Sequence, residues 1–200
     1  MNTRTRMTLA AAALVLGVAY VAPLWHIGLD APQYPEGIGM FIWIDTITGQ
    51  KPHDLQSING LNHYIGMKAI VPESIPELRL MPWIVAGLMA LGLIAAAVGR
   101  RSLLYGWTAV FALVAAAGLV DFWYWGYNYG HDLDPTAAIK IPGFSYQPPL
   151  LGSKQLLNFT AHSWPGLGGW AIAGGLLAGL TLCAVEFRRR RTPAGLRQAA

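Results

Sequence analysis

The sequence predicts an all-α membrane protein, in which four transmembrane helices are joined on one side by two long loops that fold into a small cap. Three observations carry that prediction. Of the 200 residues, 54% are hydrophobic and only 12% charged, with a mean hydropathy of +0.40, whereas soluble domains carry roughly 25% charged residues. The charges stand at the ends of four apolar stretches and hardly within them. The two polar segments between those stretches are long and hold Phe41, Trp43, Tyr64, Phe144, Tyr146 and Phe159, so their composition is that of folded chain.

The first predicted span covers residues 7–25, after Arg4 and Arg6, and is long enough for a bilayer core that needs about 20 helical residues. A signal peptide has a similar basic start and apolar middle. Here Ala22 precedes Pro23, a poor cleavage context, and the apolar run continues to Trp25, which favours a retained helix. The second span covers 81–99. Ser74-Ile75-Pro76-Glu77 fits a capping box with proline in the first turn, so the helix is expected to begin there, and Pro82 is a candidate kink. The third span covers 103–120 and ends at Asp121 and the cluster Phe122-Trp123-Tyr124-Trp125, rings of the kind that settle at headgroup level. The fourth covers 164–187. Its Gly175-Leu-Leu-Ala-Gly179 is a small-residue face that lets a neighbouring helix approach.

Arg4, Arg6, Arg100, Arg101, Arg188, Arg189, Arg190, Arg191 and Arg197 all fall on one side of these spans, with Glu186 as their single acid. The positive-inside rule makes that side cytoplasmic, which puts both termini in the cytoplasm and the long loops, 26–80 and 122–163, outside a bacterial inner membrane. The net charge of +4 and the pI near 9.4 therefore express topology and do not point to nucleic acid. Within the loops, residues 40–48 are β-branched and aromatic and end at Gly49, which reads as a strand or a segment lying on the membrane. Residues 54–67 read as a helix interrupted by Gly60 and Gly66.

Cys183 is the only cysteine, which excludes an internal disulfide, a CxxC redox pair and covalent haem attachment through CxxCH. No phosphate loop, nucleophile elbow, kinase or zincin signature is present. The richest polar stretch is 59–68, Asn-Gly-Leu-Asn-His-Tyr-Ile-Gly-Met-Lys. In a helix Asn59, His63 and Met67 share one face, and an imidazole beside a thioether suits a soft ion such as Cu(I). The plainer reading is a short amphipathic helix in which Met67 packs and His63 caps. All five histidines, His26, His53, His63, His131 and His162, fall in the outer loops, but histidine avoids spans anyway. His-Asp-Leu occurs at 53–55 and again at 131–133, where the adjacent aspartate can orient a ligating imidazole; more simply, Asp54 and Asp134 (the latter before Pro135) are good helix N-caps. His53, His63, His131 and His162 with Met67 form the expected metal set, and His26, His131 and His162 the alternative set at the mouth of the bundle.

The outer loops resemble a family of small four-span membrane proteins encoded beside nitrous oxide reductase and its copper-maturation proteins in many bacteria. The resemblance rests on Tyr34-Pro-Glu-Gly37, Pro52-His-Asp-Leu-Gln56, Leu61-Asn-His-Tyr-Ile-Gly-Met-Lys68, Pro72-Glu-Ser-Ile-Pro-Glu77, Gly130-His-Asp-Leu-Asp-Pro135, Tyr146-Gln-Pro-Pro149 and Gly152-Ser-Lys-Gln-Leu-Leu-Asn-Phe159. It covers most of both loops, while the spans match only in being apolar. It implies a setting in copper-enzyme assembly or its electron supply in the periplasm. The first expectation is a non-enzymatic accessory protein that binds or hands over copper for a periplasmic cuproenzyme, nitrous oxide reductase, or its maturation proteins. The second is a redox subunit in which His26, His131 and His162 meet haem b or a quinone beside Trp123 and Trp125. The third is a scaffold that docks partners through the cap.

Overall fold

The computed structural model describes residues 1–191 and corrects the all-α expectation: the chain is mixed α/β, with a five-stranded antiparallel sheet in the place of the predicted loop cap. The helices are α1 (Thr3–Val15), α2 (Asp54–Ile65), α3 (Pro76–Val98), α4 (Arg101–His131) and α5 (Leu167–Arg191). The strands are β1 (Trp25–Ala31), β2 (Tyr34–Ile42), β3 (Ile47–Gly49), β4 (Gly152–Leu156) and β5 (Phe159–Pro165), in the order β3-β2-β1-β5-β4. Arg197 lies outside the described residues.

Four spans are also corrected. Among the described residues three helices are long and apolar enough to cross a membrane: Pro76–Val98, Arg101–His131 and Leu167–Arg189. The first segment has only 13 α-helical residues, followed by 3-10 turns over Leu16–Tyr20. Gly17 and β-branched Val18 are poor helix formers there, and Pro23 prevents the helix from continuing. The segment is nevertheless central to the apolar bundle: Leu9, Ala13, Leu16 and Ala19 are fully buried in one core with Val85 and Leu88 of α3, Leu104, Trp107 and Phe111 of α4 and Leu182 of α5. The amine of Met1 donates to Gly99 O (2.9 Å) at one end, and the Tyr20 hydroxyl donates to Pro82 O at the other.

The other helices differ from their predicted bounds for local reasons. Ser74 does not cap α3. Its hydroxyl turns back to Val71 O (2.7 Å), Ile75 is the N-cap and no side chain caps the helix. α4 runs eleven residues past Val120 because nothing breaks it before Asp132, and it carries Phe122, Trp125 and Tyr129 up to the sheet. Residues 164–165 finish β5, so α5 starts at Leu167. The small-residue face of α5 packs as its spacing suggests: Gly175 lies against Ala12 of α1 and Leu16 of the 3-10 turns that follow it, and Gly179 against Trp107 and Thr108 of α4.

At the arginine-rich end, the Glu186 carboxylate is 1% exposed and ties three helices together. It accepts from Thr5 Oγ1 (2.9 Å), Arg101 Nε (2.7 Å) and Arg189 Nη1 (3.1 Å). A buried acid is tolerated only when paired in this way.

The sheet obeys the two-residue alternation of pleated strands. Trp25, Ile27 and Leu29 of β1 and Ile38, Met40 and Ile42 of β2 turn inward, onto Ile58 of α2, Ile75 and Leu78 at the start of α3 and Phe122, Trp125 and Tyr129 of α4. The 40–48 segment is strand on both sides of a turn, closed by Trp43 N–H to Thr46 O (2.8 Å). The opposite face of the sheet is left open. Its rows run Thr48, Phe41, His26, Trp164; then Gly39, Gly28, His162, Ser153; then Asp30, Thr160, Gln155.

Candidate functional site

The predicted metal residues fall in three separate places. His53 is the N-cap residue of α2, exposed, with Nδ1 3.3 Å from Gln56 Oε1. Its neighbour Asp54 does not orient the ring. Asp54 is buried and accepts from Gly39 N–H (3.0 Å) and Lys51 N–H (3.1 Å), so it bolts the helix to β2.

His63 and Met67 are four residues apart, but the helix that would align them stops between them. Gly66 takes the left-handed conformation (φ 81°) and Met67 N–H returns to Asn62 O (2.9 Å), the usual glycine close of a helix. His63 is an exposed last-turn residue with its ring edge-on to Tyr64, while Met67 is half-buried beyond the turn. Asn59, the third member of that face, is spent on the backbone: its amide bonds both the C=O and the N–H of Ile70 (3.0 and 2.7 Å).

The second histidine-bearing segment does come to this end of α2. Asp134 N–H donates to Gly66 O (2.8 Å), Ile139 N–H to Tyr64 O (2.9 Å), and Lys68 pairs with Asp132 (2.6 Å). Asp134 caps no helix; it accepts from the hydroxyl and N–H of Thr136 (2.6 and 2.7 Å). Those two bonds hold its carboxyl below the usual range, with smaller help from the charges of His63 and Lys140. His131, the last residue of α4, is turned back on its own helix: it stacks on Tyr127 (4.0 Å) and bonds Tyr127 O through Nδ1 (2.9 Å).

His26 and His162 lie on the open face of the sheet. His26 rests over Gly28 and Gly39, 4.9 Å from the ring of Phe41, with Nε2 3.0 Å from Gln50 Oε1. His162 has Ser153 Oγ at 2.6 Å from Nδ1 and Asp30 Oδ2 at 3.0 Å from Nε2. Ser153 was readable from the sequence, had the turn at 157–158 been recognised as a hairpin, because 153 and 162 are equidistant from it. Asp30 was not, since 132 residues separate it from His162.

Copper, implied by the resemblance, would need these side chains to converge. His63 and Met67 do not converge, and among the described residues no group of three or more His, Cys, Asp or Glu is placed to hold a metal ion. The donor set of one chain does not fit the expected centre. The alternative mouth set is also divided: Trp123 lines a shallow cleft with Gly126, Gln147 and Pro148, Trp125 stacks on Tyr129 in the inner core, and His26 and His162 stand on the opposite, open face of the sheet. Compared with protein families and with curated proteins, the chain finds no match in either.

Proposed function

We propose that this chain is a membrane-anchored accessory protein that holds a folded platform at the outer surface of a bacterial inner membrane, where it engages a periplasmic cuproenzyme or its copper-maturation proteins during assembly. Nitrous oxide reductase is the client suggested by the resemblance of the outer segments. The observation that carries the reading is the way the sheet is mounted. Its inner face shares one core with the beginning of α3 and the end of α4, so the cap moves with the apolar helices and its other face stays open. Arginine on the side opposite the sheet supports a cytoplasmic position for that end, and the bilayer is the first partner of the apolar helices.

The platform acts by presentation and not by a chelating site within one chain. Deleting the gene in its host is expected to lower the copper content and activity of periplasmic nitrous oxide reductase. Re-expression of the native chain restores both. Full copper loading in the deletion strain would sink the proposal.

A further inference from the structure

The geometry points to a site of a different kind: we propose that Ser153 is an acylatable serine, with His162 as its general base and Asp30 positioning the imidazole, and that the site takes carboxylic esters presented to the open face of the sheet.

The three side chains come from three adjacent strands. β4 and β5 form a hairpin whose register places Ser153 opposite His162 and Leu156 opposite Phe159 across a two-residue turn. A two-residue turn closes on a hydrogen-bonded pair, and pairs then alternate, which makes Ser153 and His162 a non-hydrogen-bonded pair. Side chains are closest in such pairs, in keeping with the 2.6 Å between Oγ and Nδ1. Asp30 reaches the other nitrogen from β1, at 3.0 Å. A carboxylate at Nε2 keeps the proton there and leaves the Nδ1 lone pair facing the hydroxyl, the tautomer a general base needs.

The surroundings are open on the sides the chemistry requires. Ser153 is exposed, and His162 and Asp30 have side chains 34% and 72% exposed. β4 is the last strand of the sheet. In a non-hydrogen-bonded pair the backbone groups point away from the partner strand, so the Ser153 N–H projects from the free edge, beside its own Oγ, where it can receive a developing oxyanion. Gly28, the neighbour of His162 on β1, leaves a space between the two imidazoles, since a Cβ there would lie 3.4 Å from His26 Cε1 and 3.9 Å from His162 Cβ.

In the reaction, Ser153 Oγ bonds to the ester carbonyl carbon and its proton passes to His162 Nδ1. Collapse breaks the bond to the leaving oxygen, which takes that proton and departs as the alcohol. Water then attacks the acyl carbon and gives a proton to Nδ1. The Ser153 ester bond breaks, the proton returns to Oγ, and the acid is released.

The test treats the purified full chain in detergent with a biotinylated fluorophosphonate and locates the adduct by peptide mass spectrometry. The adduct is expected on Ser153. His162→Ala slows its formation by about 100-fold, the usual scale of general-base catalysis, and added imidazole restores part of the rate, which a merely structural histidine would not show. Asp30→Asn forms the same adduct more slowly. The proposal is overturned if Ser153 stays unlabelled, or if it is labelled equally fast in His162→Ala with no response to imidazole.

Discussion

Asp54 is a buried carboxylate whose partners are two backbone N–H groups, one on β2 and one in its own turn. It sits in the first turn of α2, where the helix dipole favours an anion. Asp54→Ala strands both donors and is expected to cost about 2 to 3 kcal/mol, the scale of hydrogen bonds to a charged group, with Asp54→Asn intermediate; thermal unfolding in detergent reads the difference. Asp134 is a second carboxylate held by hydrogen bonds, in the turn after α4. Because the folded carboxyl titrates below the unfolded one, its contribution is complete above the ordinary carboxyl range and is lost as pH falls through the lowered value. Thr136→Val removes the hydroxyl donor and is expected to move the Asp134 midpoint upward, toward the ordinary range, in an NMR titration. Both aspartates were noticed in the sequence as caps. The partner of Asp54, Gly39, is fifteen residues away and is not encoded by an Asp-Leu pair, whereas Thr136 is the local turn partner, two residues on, that an Asp-Pro step favours.

Among the elements, the β4–β5 hairpin carries a visible conflict between sequence and backbone. Leu157 occupies the first position of its two-residue turn with φ 57°, a conformation that costs a side chain about 1 to 2 kcal/mol. Leu157→Gly is expected to raise the thermal midpoint by relieving about 1 kcal/mol, part of the gain being offset by glycine's greater freedom when unfolded. The same conflict explains why the hairpin was hidden: turn-reading looks for Asn-Gly or Gly at these positions and finds Leu157-Asn158. β1 was hidden differently. Its inward residues, Trp25, Ile27 and Leu29, alternate faithfully, but the outward ones are His26, Gly28 and Asp30, and the first residue of the strand, Trp25, falls within the apolar run of the predicted first span. In α2 the helix itself was legible, but it runs unbroken through Gly60, where an interruption was expected, and ends at Gly66; the left-handed turn there is what separates Met67 from His63.

At the scale of the molecule, two cores share the chain. One joins α1, α3, α4 and α5, and the other fastens the sheet to α2 and to the outer parts of α3 and α4. The histidines are distributed around this architecture and not gathered by it: His53 and His63 stand at opposite ends of α2, His131 on α4, and His26 and His162 on the open sheet. Copper handling through His63 and Met67 therefore finds no support in their placement. His63→Ala with Met67→Ala is expected to leave the copper content of the purified protein unchanged within error, as measured by elemental analysis after exposure to Cu(I). A stoichiometric loss of copper in that variant would reinstate the pair as ligands.

By itself the sequence determined three of the apolar helices, α3, α4 and α5, the arginine-rich end and the order of the two outer segments, because hydropathy and charge act on each residue through solvent alone and need no knowledge of neighbours; the fourth span it also suggested, at residues 7–25, is cut short by the 3-10 turns and Pro23. It also marked the glycine face at 175 and 179, whose packing depends on the size of one residue type. Only the tertiary structure decided that the outer segments form one sheet, since β5 pairs with β1 across more than a hundred residues, and no local propensity specifies a strand partner. The same holds for the Asp30–His162–Ser153 chain and for the separation of His63 from Met67. Side-chain chemistry is written in the residue, but proximity is a property of the packed backbone.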